Sequence, residues 1–582
     1  MRDMSDIEVT GSHAQNQDRM LHAALGRITH GISPASIAGA FMDWGAHLAF
    51  SPGKQQALAE KALRKWHRLT LYALQSARSQ CDPCIEPLPQ DRRFSHPGWQ
   101  KWPFNLIYQT FLLHQQWWCN ATTDVRGVGR HHEQMMTFVM RQMLDMFAPS
   151  NFVPVNPEVL DETLRAGGAN LLQGVLNLWE DGERLAAGRP PPGAEAFEVG
   201  RNVAITAGKV VFRNRLIELI QYAPQTPRVH PEPVLIVPSW IMKYYIMDLS
   251  PHDSLVRYLV EHGHTVFMIS WKNPDAGDRD LGMADYLQSG VMAALDCVGH
   301  IVPGRRIHGA GYCLGGTLFS IAAAAMARDG DARLKSLTLL AAETDFEEPG
   351  ELSLFIDESQ VAYLEDIMWD QGYLDGKQMA GAFTLLNSKD LVWSRMVRDY
   401  LMGQRRPLND LMAWNADATR LPYRMHSEYL RRFYLDNDFA EGRYEVGDKP
   451  VALSDIRVPL FVVATERDHV SPWHSVYKIH LLTDTGITFV LTSSGHNAGI
   501  VNEPGHPGRH YRIAARGERD QYVSPDAWRE TISSLREGSW WPAWQRWLAQ
   551  RSGRRMPPPA MGARRKGYPP LCDAPGSYVL AP

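Results

Sequence analysis

A strong excess of charge of either sign, a long apolar run and a dense set of cysteines are all missing from this sequence. Its 60 lysines and arginines against 64 aspartates and glutamates leave a formal net charge of −4. That balance gives no electrostatic reason to expect nucleic acid as a partner. No apolar stretch approaches the roughly 20 residues that span a bilayer as a helix. The longest small-apolar run, Ile321 to Ala327, reads instead as a buried helix. The first residues lack the basic start, apolar stretch and small-residue cleavage site of a secretory signal, so a cytoplasmic location is expected. Six cysteines are too few for a disulfide scaffold in 582 residues.

What is present is an ordinary globular composition, 44% apolar and 21% charged. The length exceeds what one compact core supports, so two domains or one elaborated domain are expected. Cys81 and Cys84 have the spacing of a redox pair, but no second ligand pair or βαβ context accompanies them, and they read as incidental. Cys119, Cys297 and Cys572 read as small packing residues. No metal site is expected. Cys313 stands apart.

Up to about Gly188 the pattern is helical. His132 to Phe147 carries Met135, Met136, Val139, Met140, Met143 and Phe147 at helical spacing, a stripe expected to serve as core or interface. A second helix is expected over about 158–187. It runs into Gly188-Arg-Pro-Pro-Pro192-Gly193, the clearest linker in the chain. This divides the sequence into a helical N-terminal domain, 1–193, and a second domain, 194–582. In the second domain the rhythm alternates. Val234–Val237, Thr265–Ser270, Leu337–Ala341, Leu460–Ala464 and Thr488–Thr492 read as buried strands, with helices at Ser254–Glu261 and Thr317–Arg328. Such alternation indicates a doubly wound, mostly parallel α/β sheet. Between about 346 and 451 it lapses into a helical stretch rich in tryptophan and tyrosine, expected to be a cap over the active site.

The chemistry centres on Gly311-Tyr312-Cys313-Leu314-Gly315-Gly316, a nucleophile elbow with cysteine in place of serine. The nucleophile of such a turn has a strained backbone, and its neighbours two residues away must be small for strand and helix to pack. A strand precedes this elbow and a helix follows it, which predicts an α/β-hydrolase fold. The preceding strand also carries His308, a minor candidate for a supporting role that reads better as a satisfied polar residue.

In this fold the base and acid follow the nucleophile along the chain. His496 lies in a loop just after the last strand candidate and is the predicted base among 22 histidines. Asp468 follows the preceding strand and is the preferred acid, with Asp345 as its alternative; the adjacent His469 reads as structural. The backbone N–H of Leu314 and one from Ser239 or Trp240 are expected to form the oxyanion hole. Sulfur has a chemical rationale. A cysteine exchanges one thioester for another at little cost and keeps the acyl group activated for transfer to an alcohol. These residues therefore point to acyl transfer from a thioester.

Beyond the elbow, nearly the whole chain resembles the polyhydroxyalkanoate synthases. The stretches that carry the resemblance include Phe147-Ala-Pro-Ser-Asn-Phe152, Phe197-Glu-Val-Gly-Arg-Asn202 and Lys243-Tyr-Tyr-Ile-Met-Asp-Leu249. Further matches are the run Gly263 to Pro274, Trp414-Asn-Ala-Asp-Ala-Thr419, Gly538-Ser-Trp-Trp-Pro542 and Ala574-Pro-Gly-Ser-Tyr578. The resemblance implies polymerisation of (R)-3-hydroxyacyl-CoA into an intracellular polyester with release of CoA. It implies a nucleophile role for Cys313, a base role for His496 and an acid role for Asp468. It also implies dimerisation and residence on polymer granules through the N-terminal domain, and no cofactor beyond the CoA thioester substrate. Length and the stretch around Leu21 to Ala59 are most similar to the long single-subunit class that uses short-chain monomers.

One departure is local. Where the family often has Leu-Arg-Pro-Asn-Asp-Leu, this chain has Leu386-Asn387-Ser388-Lys389-Asp390-Leu391, which bears either on a substrate channel or on a solvated helix start. The competing readings are a cysteine-triad hydrolase, such as a polyester depolymerase or thioesterase, and a weakly active granule-bound paralogue.

Overall fold

Short apolar runs rich in branched residues build the centre of the fold, because a parallel strand is buried on both faces. The structure is a computed structural model that describes residues 13–29, 31–77, 81–88, 91–386 and 388–581. Its strands are β1 (Gly208–Arg213), β2 (Ile217–Tyr222), β3 (Val234–Val237), β4 (Val266–Trp271), β5 (Ile307–Tyr312) and β6 (Leu334–Leu340). The short β7 (Tyr373–Leu374) and β8 (Leu421–Pro422) pair with each other. Then come β9 (Leu460–Thr465), β10 (Ile487–Thr492), β11 (His510–Arg516), β12 (Ser534–Glu537) and β13 (Cys572–Asp573).

All but β7 and β8 join one 11-stranded sheet in the order β12-β11-β10-β9-β6-β5-β3-β4-β2-β1-β13. The run β4-β3-β5-β6-β9-β10 is parallel. Antiparallel strands extend it on both sides. Every expected strand is present to within a few residues. The antiparallel additions were not expected; the last of them, β13, comes from the C-terminal segment. That segment is anchored by the fully buried Glu218, whose carboxylate accepts the N–H groups of Ser577 and Tyr578, each at 2.9 Å.

The chain divides into two compact units, Met1–Gly31 with Gly193–Ala380 and Leu408–Pro582, and Ile32–Pro192 with Gly381–Pro407. The break at Pro192–Gly193 falls in the linker. Two segments fall on the opposite side from the sequence-drawn boundary. The helix His13–Ile28 joins the sheet-containing unit, where His22 Nδ1 meets Asp366 at 2.7 Å and Arg27 meets Asp370 at 2.9 Å, both on the helix Glu358–Gln371 in the stretch expected to be a cap. Part of the expected cap joins the helical unit instead. There the Nδ2 groups of Asn170 and Asn177 donate to the carbonyls of Leu401 and Asp399, both at 2.8 Å, and Arg405 pairs with Asp181 at 2.8 Å. Lys389 pairs with Asp91 at 3.8 Å and Ser388 bonds Gln142, so neither is simply solvated; Asn387 lies outside the described residues.

Within the helical unit the methionine stripe forms the helix Arg130–Met146, but only one side of it is core. Met135 and Met136 pack with Ala40, Trp44 and Val125, whereas Met143, Met146 and Phe147 are exposed. The helix expected over 158–187 is two, Pro157–Arg165 and Ala169–Ala186, because Gly167 and Gly168 adopt positive φ and end the first. Cys81 and Cys84 are free thiols, and Cys119 is exposed on the helix Phe104–Thr122 rather than packed. No described helix is long and apolar enough to cross a membrane.

Candidate active site

The elbow forms where β5 turns into the helix Leu314–Arg328. Cys313 sits at the turn with φ 51° and ψ −127°, a conformation costly for a residue with a side chain. Its N–H donates to the carbonyl of Leu340 at 2.9 Å, which fastens the turn to β6. The glycines are there for space. A Cβ on Gly311 would lie 2.4 Å from Gly316 Cα, and one on Gly315 would lie 2.1 Å from the Val237 carbonyl oxygen. Helix and strands thus approach closer than any side chain permits.

Asp468 and His496 leave the C-terminal ends of β9 and β10, the same end at which β5 presents Cys313. His496 Nδ1 lies 2.8 Å from Asp468 Oδ2. Burial alone would push the Asp468 carboxyl up. The His496 ring, the Ser471 N–H and the Thr465 hydroxyl outweigh it and hold the group below the ordinary aspartate value. The N–H groups of Val470 and Ser471 donate to Oδ1 at 2.9 and 2.8 Å, and Thr465 Oγ1 donates to Oδ2 at 2.9 Å. Burial likewise opposes the charged form of His496. Asp468 and Cys313 reverse this and raise its pKa well above that of a free histidine, with hydrogen bonds to both contributing. Cys313, His496 and Asp468 therefore form one connected set.

Asp345 is turned to other partners: Oδ1 accepts the N–H of Glu347 at 2.9 Å and Nδ2 of Asn437 at 3.2 Å. The His469 carbonyl accepts the N–H of Glu351 at 3.0 Å, a backbone tie. His308 lies at the far end of β5, roughly 16 Å from Cys313 at ~3.3 Å per strand residue. There it bonds Ser336 at 2.7 Å and Ser552 at 3.1 Å, and burial depresses its pKa to about 3.

The turn expected to complete an oxyanion hole follows β3, the neighbour of β5. Trp271 Nε1 donates to the Pro238 carbonyl at 2.9 Å, and Thr419 Oγ1 to that of Trp240 at 2.8 Å. These bonds hold Ser239 and Trp240 in place while Leu314 opens its helix with a first-turn N–H that has no intrahelical acceptor.

Residues the sequence reading passed over complete the surroundings. Tyr312 donates its hydroxyl to Asn497 Oδ1 at 2.5 Å, and its ring centroid lies 5.7 Å from that of His496. Burial, followed by the Asp468 and Cys313 charges, raises the Glu343 carboxyl well above the ordinary glutamate value. The buried Tyr429 and the partly buried Tyr434, with ring centroids 5.5 Å apart, interact electrostatically with both Cys313 and Glu343. The one sequence cue for Glu343 was an acid directly after an apolar strand, a cue it shared with Asp345.

A parallel central sheet, a strained cysteine elbow and a histidine–aspartate pair at the same strand ends define an α/β-hydrolase-fold protein. The general model of the alpha/beta hydrolase fold matches residues 232–503. The model described as "Poly-beta-hydroxybutyrate polymerase (PhaC) N-terminus" matches residues 90–259, and "Poly-beta-hydroxybutyrate polymerase N terminal" matches 12–54. A poly(3-hydroxyalkanoate) polymerase of Methylorubrum extorquens is 40% identical over 538 residues, 89% of this chain and 87% of that protein. The polymerase subunit PhaC of Cupriavidus necator is 38% identical over 504 residues, 84% of this chain and 83% of its own. That of Rhizobium meliloti is 37% identical over 497 residues, 84% of this chain and 79% of its own. Among solved structures, a monoacylglycerol lipase from Paleococcus ferrophilus aligns at 11% identity with a TM-score of 0.32, over 58% of this chain and 99% of that chain. The chain belongs to the poly(3-hydroxyalkanoate) polymerase family and is an enzyme of the acyltransferase type.

Proposed function

We propose that this enzyme polymerises (R)-3-hydroxyacyl-CoA, with 3-hydroxybutyryl-CoA as the first monomer to test, through an acyl group carried as a thioester on Cys313. The observation that carries the reading is the connected set Cys313, His496 and Asp468 in a polymerase-family chain. His496 takes the Cys313 proton, and the thiolate attacks the thioester carbon. CoA leaves as a thiolate and recovers that proton. The negative oxygen of the intermediate faces the N–H of Leu314 and one from Ser239 or Trp240. A hydroxyl of a second hydroxyacyl unit then attacks the Cys313 thioester. His496 accepts the hydroxyl proton and returns it to the departing Cys313 sulfur. Asp468 holds the ring in the tautomer this requires. Neither half-reaction calls for a metal or cofactor.

In this reading the protein works in the cytoplasm, as a homodimer at the surface of its polyester granule. Leu172, Val175, Leu176 and Trp179 support that part, since they form one exposed apolar face of the helix Ala169–Ala186. The test is direct. Purified protein given 3-hydroxybutyryl-CoA is expected to release CoA and form polymer, and Cys313→Ala to do neither. Release of free 3-hydroxy acid without polymer would sink the polymerase reading in favour of a hydrolase. Negligible turnover by the wild type would favour a granule-bound paralogue.

A further inference from the structure

Strand order puts the segment that carries an acidic residue, Glu343, between the segments that carry Cys313 and Asp468. In the sheet, β6 lies between β5, which leads to Cys313, and β9, which leads to Asp468. Glu343 is on the chain leaving β6. That chain is fastened on both sides: Cys313 donates to the Leu340 carbonyl at 2.9 Å, and Ala341 to the Val463 carbonyl at 2.8 Å. The Glu343 carbonyl itself accepts the Thr317 hydroxyl, at 2.7 Å, from the helix after the elbow. These bonds fix the backbone from which the Glu343 side chain leaves, and its carboxyl lies close enough to feel the charges of Asp468, Cys313 and His496. Glu343 is only 4% exposed, and its Oε1 is buried without a hydrogen-bond partner.

The two carboxyl groups are treated differently by the fold. Asp468 receives two backbone N–H groups, a hydroxyl and the His496 ring. Glu343 has no such set of donors, and the titratable groups that act on it are Asp468, Cys313, His496 and Asp345, with Tyr429 and Tyr434 nearby. Neighbouring buried carboxyls do not both ionise readily, so the negative charge stays on Asp468 and the proton on Glu343. A carboxyl kept neutral in an apolar site is a hydrogen-bond donor at neutral pH.

Placement says what it can donate to. The turn bearing Ser239 and Trp240 follows β3, on the opposite side of β5 from β6. An acyl group whose carbonyl turns toward that hole can place its C3 oxygen on the opposite side of β5, where Glu343 leaves β6. We propose that Glu343 is a substrate-recognition residue whose carboxylic O–H donates a hydrogen bond to the oxygen on C3 of the acyl group at Cys313. The assignment rests on the polymerase reading above. One such bond leaves the hydroxyl hydrogen free to pass to His496. It also persists when that oxygen becomes an ester oxygen, which can only accept; a carboxylate would repel it.

The test compares two thioesters in single-turnover acylation of Cys313, read as CoA released per enzyme. Butyryl-CoA lacks the C3 oxygen, and 3-hydroxybutyryl-CoA has it. The wild type is expected to prefer the hydroxylated thioester. In Glu343→Leu that preference falls about tenfold or more through the hydroxylated substrate alone. In Glu343→Gln, a neutral donor, it stays within about threefold of wild type. An unchanged preference in Glu343→Leu, or equal loss with both thioesters in both variants, overturns the proposal. Failure of the wild type to be acylated by either thioester overturns the polymerase reading itself, and the proposal with it.

Discussion

The hydroxyl of Tyr312, the residue before the candidate nucleophile, donates to Oδ1 of Asn497, the residue after the candidate base, at 2.5 Å. Tyr312 ends β5 and Asn497 lies past β10, strands that β6 and β9 separate in the sheet. The bond therefore ties the base loop to the elbow across the top of the sheet. Tyr312 is buried, so its hydroxyl has no water to fall back on.

Tyr312→Phe keeps the ring and removes only this tether. The expected cost is about 1–3 kcal/mol of stability, from an acceptor left unpaired. If the tether positions His496, kcat for CoA release falls roughly tenfold or more while KM moves little. A variant with lowered Tm and unchanged kcat would show that the bond serves folding alone.

The two candidate acids separate cleanly by mutation. Asp468→Asn is expected to slow CoA release by roughly 10²–10⁴-fold, as loss of the orienting acid does in related arrangements. It should also lower the His496 pKa, because the Asp468 charge is a main reason that pKa is raised. Titration of the imidazole by NMR reads this directly. Asp345→Asn is expected to leave turnover within a few-fold, since its carboxylate contacts Glu347 and Asn437 instead.

Strain at the elbow predicts a stability gain from removing the nucleophile's side chain. Cys313→Gly and Cys313→Ala both abolish turnover in the proposed mechanism. Only glycine relieves the positive φ of 51°. Cys313→Gly should therefore exceed Cys313→Ala by about 1 kcal/mol, strain relief outweighing the entropy of the added glycine. Chemical denaturation of the two inactive proteins measures the difference.

Gly315→Ala tests the close approach behind the elbow. The added Cβ would meet the Val237 carbonyl oxygen at 2.1 Å, and backbone cannot yield as a flexible side chain can. A loss of at least about 3 kcal/mol, or failure to accumulate as soluble protein, is expected. Wild-type-like thermal unfolding would contradict the packing described.

Buried neutral histidines predict sensitivity to acid. Burial depresses His308 to about 3 and His426 and His480 to about 4. Between these values and the unfolded value near 6.5, the unfolded chain binds more protons, so stability falls as pH drops through that window. At pH 5 each such histidine costs about 2 kcal/mol. Tm measured from pH 7 to pH 5 should fall steadily, and His426→Gln should flatten the slope.

Legibility followed locality. The strands Val234–Val237 and Leu460–Thr465 were readable because a strand buried on both faces must be apolar throughout. The elbow was readable because its glycines answer a steric demand within a few residues. The strands β1, β2, β11 and β12 were missed: their pairing is antiparallel at the flanks, and β12 is exposed along its whole length. The methionine stripe gave the helix but not its environment, because periodicity says which residues share a face and not what covers it.

By itself, then, the sequence determined the order of the parallel strands, the cysteine turn and the position of a histidine after the last of those strands. Each depends on residues adjacent along the chain. Tertiary structure decided which aspartate meets His496, that residues 381–407 pack with the helical unit, and that the buried Glu343 shares the surroundings of Cys313 and Asp468. The physical reason is the strand order β10-β9-β6-β5-β3, which sets side by side segments that lie far apart in sequence. No local pattern records which of several acids at strand ends that arrangement will bring together.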